Sequence, residues 1–194
     1  MENSIEWLYL NNSDDTVRYV LGEKTKNMIA CIGINPSTAK PNELDNTLKS
    51  VKRISAFNGF DGWIMYNVYP QRATNPNYID NEIDHDLRLT NIGVLMKSIK
   101  HLGINTIWIA YGDLIESREY LPFCMLSLYT SLSHLNLNWK IIGEPTKKGH
   151  PRHPLYKSTE SKFIDFEMEK YVTEKLKPKS KKFEKIYINR TEFK

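Results

Sequence analysis

Apolar and polar residues alternate along the chain in blocks whose period changes. The densest block, Met28-Ile29-Ala30-Cys31-Ile32-Gly33-Ile34, is apolar at odd and even positions alike, the pattern of a strand buried on both faces of a parallel sheet. It stops abruptly at Asn35-Pro36-Ser37-Thr38. Before it, Ile5 to Leu10 and Val17 to Leu21 flank the polar cluster Asn11-Asn12-Ser13-Asp14-Asp15, which predicts a hairpin at the edge of that sheet. After it, Leu48, Val51, Ile54 and Phe57 recur every third residue between Asp45-Asn46 and Gly59. That spacing predicts a helix with one apolar stripe, capped by Asp45 or Asn46.

The alternation then repeats. Trp63 to Pro70 reads as a second strand that ends, like the first, in an amide and a proline. A long helix is expected from about Ile79 to Leu102, with Ile83, Leu87, Val94, Leu95 and Ile99 on its buried side and Gly103 closing it. Ile104 to Ala110 is the third strand, ending at Tyr111-Gly112-Asp113. Helical spacing from Glu116 to Leu135 crosses Pro122, which predicts two pieces or a kink. Trp139 to Gly143 is the fourth strand, and Ser158 or Thr159 is placed to cap a last helix carrying Phe163, Phe166, Met168, Tyr171 and Leu176. Phe183, Ile186, Tyr187, Ile188 and Phe193 predict that part of the tail packs as a final strand. Strands and helices in this order predict right-handed crossovers and an α/β fold. The expected architecture is a three-layer α/β/α sandwich around a central, mostly parallel four-stranded sheet, with an N-terminal hairpin and a C-terminal helix plus basic tail.

Composition adds bounds. The chain has 194 residues, of which 40% are hydrophobic, enough for one core; residues 1–176 read as a single domain and 177–194 as a basic extension. The net charge of +4 belongs to that extension, which holds seven Lys or Arg against two Glu. Such a tail either tracks phosphates or solubilises the chain. Two cysteines, Cys31 and Cys124, stand in apolar surroundings without metal-ligand spacing, so no disulfide framework and no metal site are expected. The acidic first residues and the lack of a long apolar run point to a cytoplasmic protein without a membrane partner.

Ligands in open α/β sheets collect beyond the carboxyl ends of the strands. On that edge the sequence places the carboxamides of Asn35 and Asn67, Tyr69, the pair Tyr111-Gly112, and the loop Glu144 to Tyr156 with its two His-Pro pairs. A carboxamide offers a donor and an acceptor in fixed geometry, suited to the amide edge of a nucleobase. Aromatic rings such as Tyr66, Tyr69, Tyr111 and Tyr156 suit base stacking, and Lys147, Lys148 and Arg152 suit a phosphate backbone. A Gly-rich phosphate loop, a nucleophile elbow and a dinucleotide fingerprint are missing, which disfavours nucleotide hydrolysis and hydride transfer.

Gly33-Ile34-Asn35-Pro36, Asn67, Tyr111-Gly112 and the His-Pro loop occur in an order similar to the uracil-DNA glycosylase superfamily, above all its mismatch-specific branch. More closely, Gly33 to Ala39, Asp45-Asn46-Thr47 with Arg53, Asn67, Tyr111-Gly112 and Thr146 to Tyr156 resemble the domain-of-unknown-function family 1643, over roughly residues 5–157. The glycosylase resemblance implies that Asn35 positions an attacking water, Pro36 fixes the turn, Asn67 reads a flipped base, and His150 or His153 stabilises the departing base. It further implies a substrate lining of Gly33, Ile34, Pro36, Ser37, Thr38, Tyr69, Tyr111 and Gly112. Lys147, Lys148, Arg152, Leu155 and Tyr156 would then face DNA, with Leu155 as the wedge. No cofactor is implied, and the expected partner is DNA or a nucleotide. The expected activity is hydrolysis of an N-glycosidic bond; the alternative is a base-binding module without catalysis, in a phage or defence setting. This sequence departs from the glycosylase pattern in lacking an aspartate in the first motif, in Tyr111, and in the choice between His150 and His153.

Overall fold

The computed structural model describes residues 5–191. A mixed seven-stranded sheet in the order β1-β2-β4-β3-β5-β6-β7 organises the chain. The strands are β1 (Glu6–Asn11), β2 (Arg18–Lys24), β3 (Met28–Gly33), β4 (Gly62–Asn67), β5 (Thr106–Ile109), β6 (Asn138–Ile142) and β7 (Phe163–Asp165). The central four, β4-β3-β5-β6, are parallel and are the four that the apolar blocks predict. The expectation of four strands is corrected by three more, which pair antiparallel: the hairpin β1-β2 extends the sheet beyond β4, and β7 extends it beyond β6.

Helices cover both faces. Helix α1 (Asn46–Phe57) packs Leu48, Val51 and Ile54 on one face against Ile29, Cys31, Trp63, Met65 and Trp108. The other face carries α2 (His85–His101), α3 (Leu121–Leu132) and α4 (Met168–Tyr171), over Ala30, Ile32, Ile64, Tyr66, Ile107 and Ile109. From α4 the chain continues through a π turn (Val172–Leu176) into α5 (Lys177–Thr191), so one helical run crosses the position where the basic extension begins. Among the described residues no helix is long and apolar enough to cross a membrane.

Several boundaries differ from the sequence reading for identifiable reasons. Helix α1 starts where the Asp45 carboxylate accepts the Leu48 amide at 2.8 Å. Helix α2 begins at His85, later than Ile79, because the Asp84 side chain caps Leu87 at 2.9 Å while a 3₁₀ turn occupies Pro76–Tyr78. Pro122 does not kink a long helix; it lies in the first turn of α3, where its missing N–H costs nothing, and Gly112–Glu116 is a separate 3₁₀ turn. Phe163 belongs to a strand and not to the last helix, because Asn58 takes hold of that segment: its Nδ2 donates to the Ser161 carbonyl and its Oδ1 accepts the Phe163 amide, both at 2.8 Å. The final strand expected in the tail is helix as far as Thr191, with Phe183 packed on Tyr120 and Phe123; Phe193 lies outside the described residues.

Asn58 therefore sets the edge of the sheet. Asn58→Ala leaves the Ser161 carbonyl and the Phe163 amide without partners, a loss of about 1–3 kcal/mol. The expected result is a melting temperature lower by roughly 2–4 °C per kcal/mol, with faster amide exchange confined to 161–165; unchanged exchange there would remove Asn58 from this role.

Candidate functional site

The order of the parallel strands creates a switch point. The chain leaves β3 for β4 through α1 on one face, and reaches β5 and β6 through α2 and α3 on the other. The connections from the carboxyl ends of β3 and β5 thus diverge, and a crevice between such ends is the usual ligand position in open α/β sheets.

Asn67 lies at this edge, at the end of β4 and directly opposite Gly33 in the parallel ladder. Its backbone carbonyl is taken by the Asn91 side chain at 2.9 Å. Its own carboxamide is 1% exposed, and neither Oδ1 nor Nδ2 has a hydrogen-bond partner. A Cβ at Gly33 would stand 2.4 Å from Met65 Cε and 3.1 Å from Asn67 Oδ1, so only glycine leaves the carboxamide its space. Asn35, just beyond β3, is half-buried and commits its Nδ2 to the carbonyls of Ala73 (2.8 Å) and Pro36 (3.1 Å). Its amide nitrogen ties two loops together, which leaves its oxygen for other work.

The loop after β3 leads to α1 and is braced by Ser37 and Asp45 together with two arginines that sequence reading passed over. The Ser37 hydroxyl donates to the Asp45 carboxylate, which also caps α1. Arg72 donates to the Ser37 carbonyl at 2.6 Å and to the Tyr9 hydroxyl at 2.7 Å, and pairs with Asp15 at 2.9 Å. Arg18, at the start of β2, donates to the Ala39 carbonyl at 2.7 Å. The 18 and 72 positions drew no notice in the sequence because a lone arginine in a strand or loop carries no spacing signal. Ile34 and Pro36 are buried, Ser37 is half-buried and Thr38 is exposed.

The loop after β6 separates its two histidines. His150 is fully buried: Nδ1 meets the Tyr171 hydroxyl at 2.8 Å, and Nε2 meets Glu116 Oε1 at 3.0 Å. The Tyr111 hydroxyl donates to Tyr171 at 3.0 Å, so Tyr171 passes its own proton toward Nδ1 and the ring carries its proton on Nε2, facing Glu116. His150 is thus an internal strut and does not join Asn35 and Asn67 in a shared slot. His153 takes a different place. Its Cβ lies 3.2 Å from where a Cβ would stand on Gly112, and its Nδ1 accepts the Leu155 amide at 3.2 Å. Burial pushes its pKa below the ordinary value, opposed by the Asp45 carboxylate acting across the loop. The ring is therefore neutral, and with Nδ1 engaged as an acceptor its proton sits on Nε2.

The other sequence candidates fall into three groups. Tyr69 and Tyr111 are core residues: the Tyr69 hydroxyl accepts the Asp84 amide at 2.9 Å, its ring packs 5.2 Å from Tyr120, and burial pushes both phenols up. Gly112, at φ +63°, donates its amide to the Pro151 carbonyl at 2.9 Å and brings the His153 segment against β5. Arg152 is spent inside its own loop, donating to the Glu144 carbonyl at 2.6 Å, and Lys148 pairs with Glu116 at 3.1 Å. Lys147 is exposed and Leu155 half-buried. Tyr156 is 91% exposed on a left-handed backbone, φ +61°, a conformation that costs a bulky residue energy.

Around the ends of β3 and β4 the structure thus places Asn67 opposite Gly33, Ser37 on Asp45, Arg18 on the Ala39 carbonyl, and His153 within electrostatic reach of Asp45. An open concavity of about 470 Å³ lies between Ile141, Ile164, Phe166 and the start of the last helical run. Its lining includes no buried polar atom without a partner, whereas Asn67 carries two. Among the described residues no cluster of three His, Cys, Asp or Glu is arranged to hold a metal ion. Compared with known families, residues 18–155 match the family model described as "Protein of unknown function (DUF1643)". None of the curated proteins matches the chain.

Two measurements follow from these arrangements. Lys179 at 2.8 Å, then His150 and Lys148, hold the Glu116 carboxyl down to about 2 from its ordinary 4.5. A carboxylate depressed on folding contributes stability that is full above about pH 4.5 and lost as pH falls toward 2. Chemical denaturation across that window is expected to show a steep acid loss that flattens in Glu116→Gln. Separately, a buried carboxamide without partners costs about 1–3 kcal/mol, so Asn67→Leu, which keeps the branching and removes both polar atoms, is expected to melt no lower than the parent; a clear drop would mean the carboxamide has partners in solution.

Proposed function

The chain belongs to the DUF1643 family, and from that premise and the geometry of the crevice we propose that it takes a nucleobase between the ends of β3, β4 and β5 and hydrolyses the bond joining it to its sugar. The observation that carries this reading is the Asn67 carboxamide, buried with its donor and acceptor both unspent. An amide edge of a base, one carbonyl beside one N–H, satisfies both at once. The reaction class rests on the resemblance of the strand-end motifs Gly33-Ile34-Asn35-Pro36, Asn67, Tyr111-Gly112 and the His-Pro loop to those of uracil-DNA glycosylases.

In this reaction water attacks the anomeric carbon, the C–N bond breaks with its electron pair departing on the base, and the proton that the water loses ends on the released base. Negative charge then gathers on the base carbonyl. The neutral His153, with its proton fixed on Nε2, is a donor prearranged for that oxygen. Asn35 Oδ1 is the acceptor left to orient the water. The exposed Tyr156 and the half-buried Leu155 beside it are the groups that would meet the strand as the base leaves the stack.

A second reading, recognition without hydrolysis, is favoured by one observation. The Asp45 carboxylate is committed to Ser37 and the α1 amide, and Asn35 Nδ2 is committed to backbone carbonyls, so the water has a weak activator. Incubation with oligonucleotides carrying uracil, hypoxanthine or hydroxymethylated pyrimidines, followed by alkali cleavage, separates the two. Under the first reading one of these bases is released, His153→Ala slows release by about 10²–10³-fold, and Asn67→Leu abolishes it. Under the second, nucleosides raise the melting temperature of the parent and not of Asn67→Leu, with no release. Absence of both responses would end the proposal in either form.

A further inference from the structure

Against the loop that follows β3 lies a charge that nothing so far explains. Arg18 is 2% exposed, yet among the described residues it forms no ion pair. Of the five donors on its guanidinium, one is used, on the Ala39 carbonyl, and the buried Nε has no partner. Burial pushes its pKa down to about 10, and a second guanidinium, Arg72, acts in the same direction. Asp45 and Asp15 oppose this from a distance, but Asp45 is engaged by Ser37 and the Leu48 amide, and Asp15 by Arg72 and the Asn11 side chain. An isolated buried cation costs several kcal/mol unless something compensates it.

The surroundings suit an anion. Arg72, which reaches the same Ala39 carbonyl as Arg18 (3.4 and 2.7 Å), lines an open groove of about 420 Å³ with Ser37, Thr38, Gln71, Thr74 and Asp15; the groove offers hydroxyls and an amide, and the Asp15 carboxylate is paired with Arg72. A guanidinium with free forked donors is matched by the oxygens of phosphate.

We propose that Arg18 is the anchor of a phosphate subsite, the phosphate being that of the nucleotide whose base Asn67 receives. As a nucleotide subsite this rests on the base reading above; as an anion site it does not, and the two are tested apart. Thermal unfolding is followed in inorganic phosphate against chloride at equal ionic strength, then in nucleosides, their 5′-monophosphates, and single-stranded oligonucleotides of the same bases. The parent is expected to gain roughly 5–10 °C at phosphate about 100-fold above its dissociation constant, and Arg18→Met to gain nothing. Without anion, Arg18→Met melts at or above the parent, because an unpaired buried charge has been replaced by an apolar chain of similar length. Asn67→Leu keeps the response to inorganic phosphate and loses the response to nucleosides, so failure of the base reading leaves the anion site standing. Should Arg18→Met not fold, Arg18→Lys retains the charge without the fork and is expected to bind phosphate more weakly than the parent.

A larger response to the monophosphates identifies a free nucleotide as the source, and a larger response to oligonucleotides identifies a nucleic-acid chain; either supports the subsite. A parent that does not respond to inorganic phosphate and gains no more from monophosphates than from nucleosides overturns it. So does an Arg18→Met variant that responds as the parent does.

Discussion

Gly33 stands opposite Asn67 in the parallel ladder, and the close fit of these two residues governs the rest of the site. Because glycine adds nothing to the face where Met65 and Asn67 project, a polar side chain survives in a position that otherwise reads as core. Any larger residue on β3 would fill that space. The carboxamide is buried by the strands themselves, and what it lacks is a partner, not a rigid setting.

That rigidity is supplied by bonds that cross between loops. Arg72 and Asn35 join the segment after β4 to the segment after β3, and Asp45 fixes the latter to the start of α1. On the far side of the switch point, the chain Tyr111, Tyr171, His150, Glu116 ties the loop after β6 to the 3₁₀ turn after β5 and to the last helical run, with Lys148 and Lys179 closing it in solvent. His153 hangs from this framework against Gly112. The two histidines of one loop therefore divide the labour: one is consumed in holding the loop, which frees the other to present a neutral donor.

The same rim carries an energetic debt. Buried groups are normally satisfied, and a partnerless carboxamide together with an unpaired guanidinium run against the general rule of protein interiors. Local exceptions of this kind concentrate where a ligand completes the structure. Single buried atoms elsewhere, among them the indole nitrogens of Trp63 and Trp108 and the hydroxyls of Ser55 and Ser117, also go without a partner, whereas Asn67 leaves a whole carboxamide so; the helices are capped at Asp45 and Asp84 and the outer strand is paired at Asn58.

Much of this was legible in the chain itself. Apolar blocks of period two or mixed parity marked the hairpin and all four parallel strands, and the three-residue stripe marked α1, because those patterns record which faces must leave water. Amides and the His-Pro loop at the strand ends were visible as motifs for the same reason that turns are: few residues tolerate those positions. What the chain alone left open depended on partners distant in sequence. Phe163 turned from helix to strand because Asn58, 105 residues away, binds its amide, and Pro122 became a helix start because of where the preceding turn ended. Only the tertiary structure told His150 and His153 apart, since Tyr171 and Glu116 engage both nitrogens of the first ring while the Leu155 amide engages one of the second, and only it revealed Arg18, whose lack of a counter-charge is a property of its surroundings and not of its sequence.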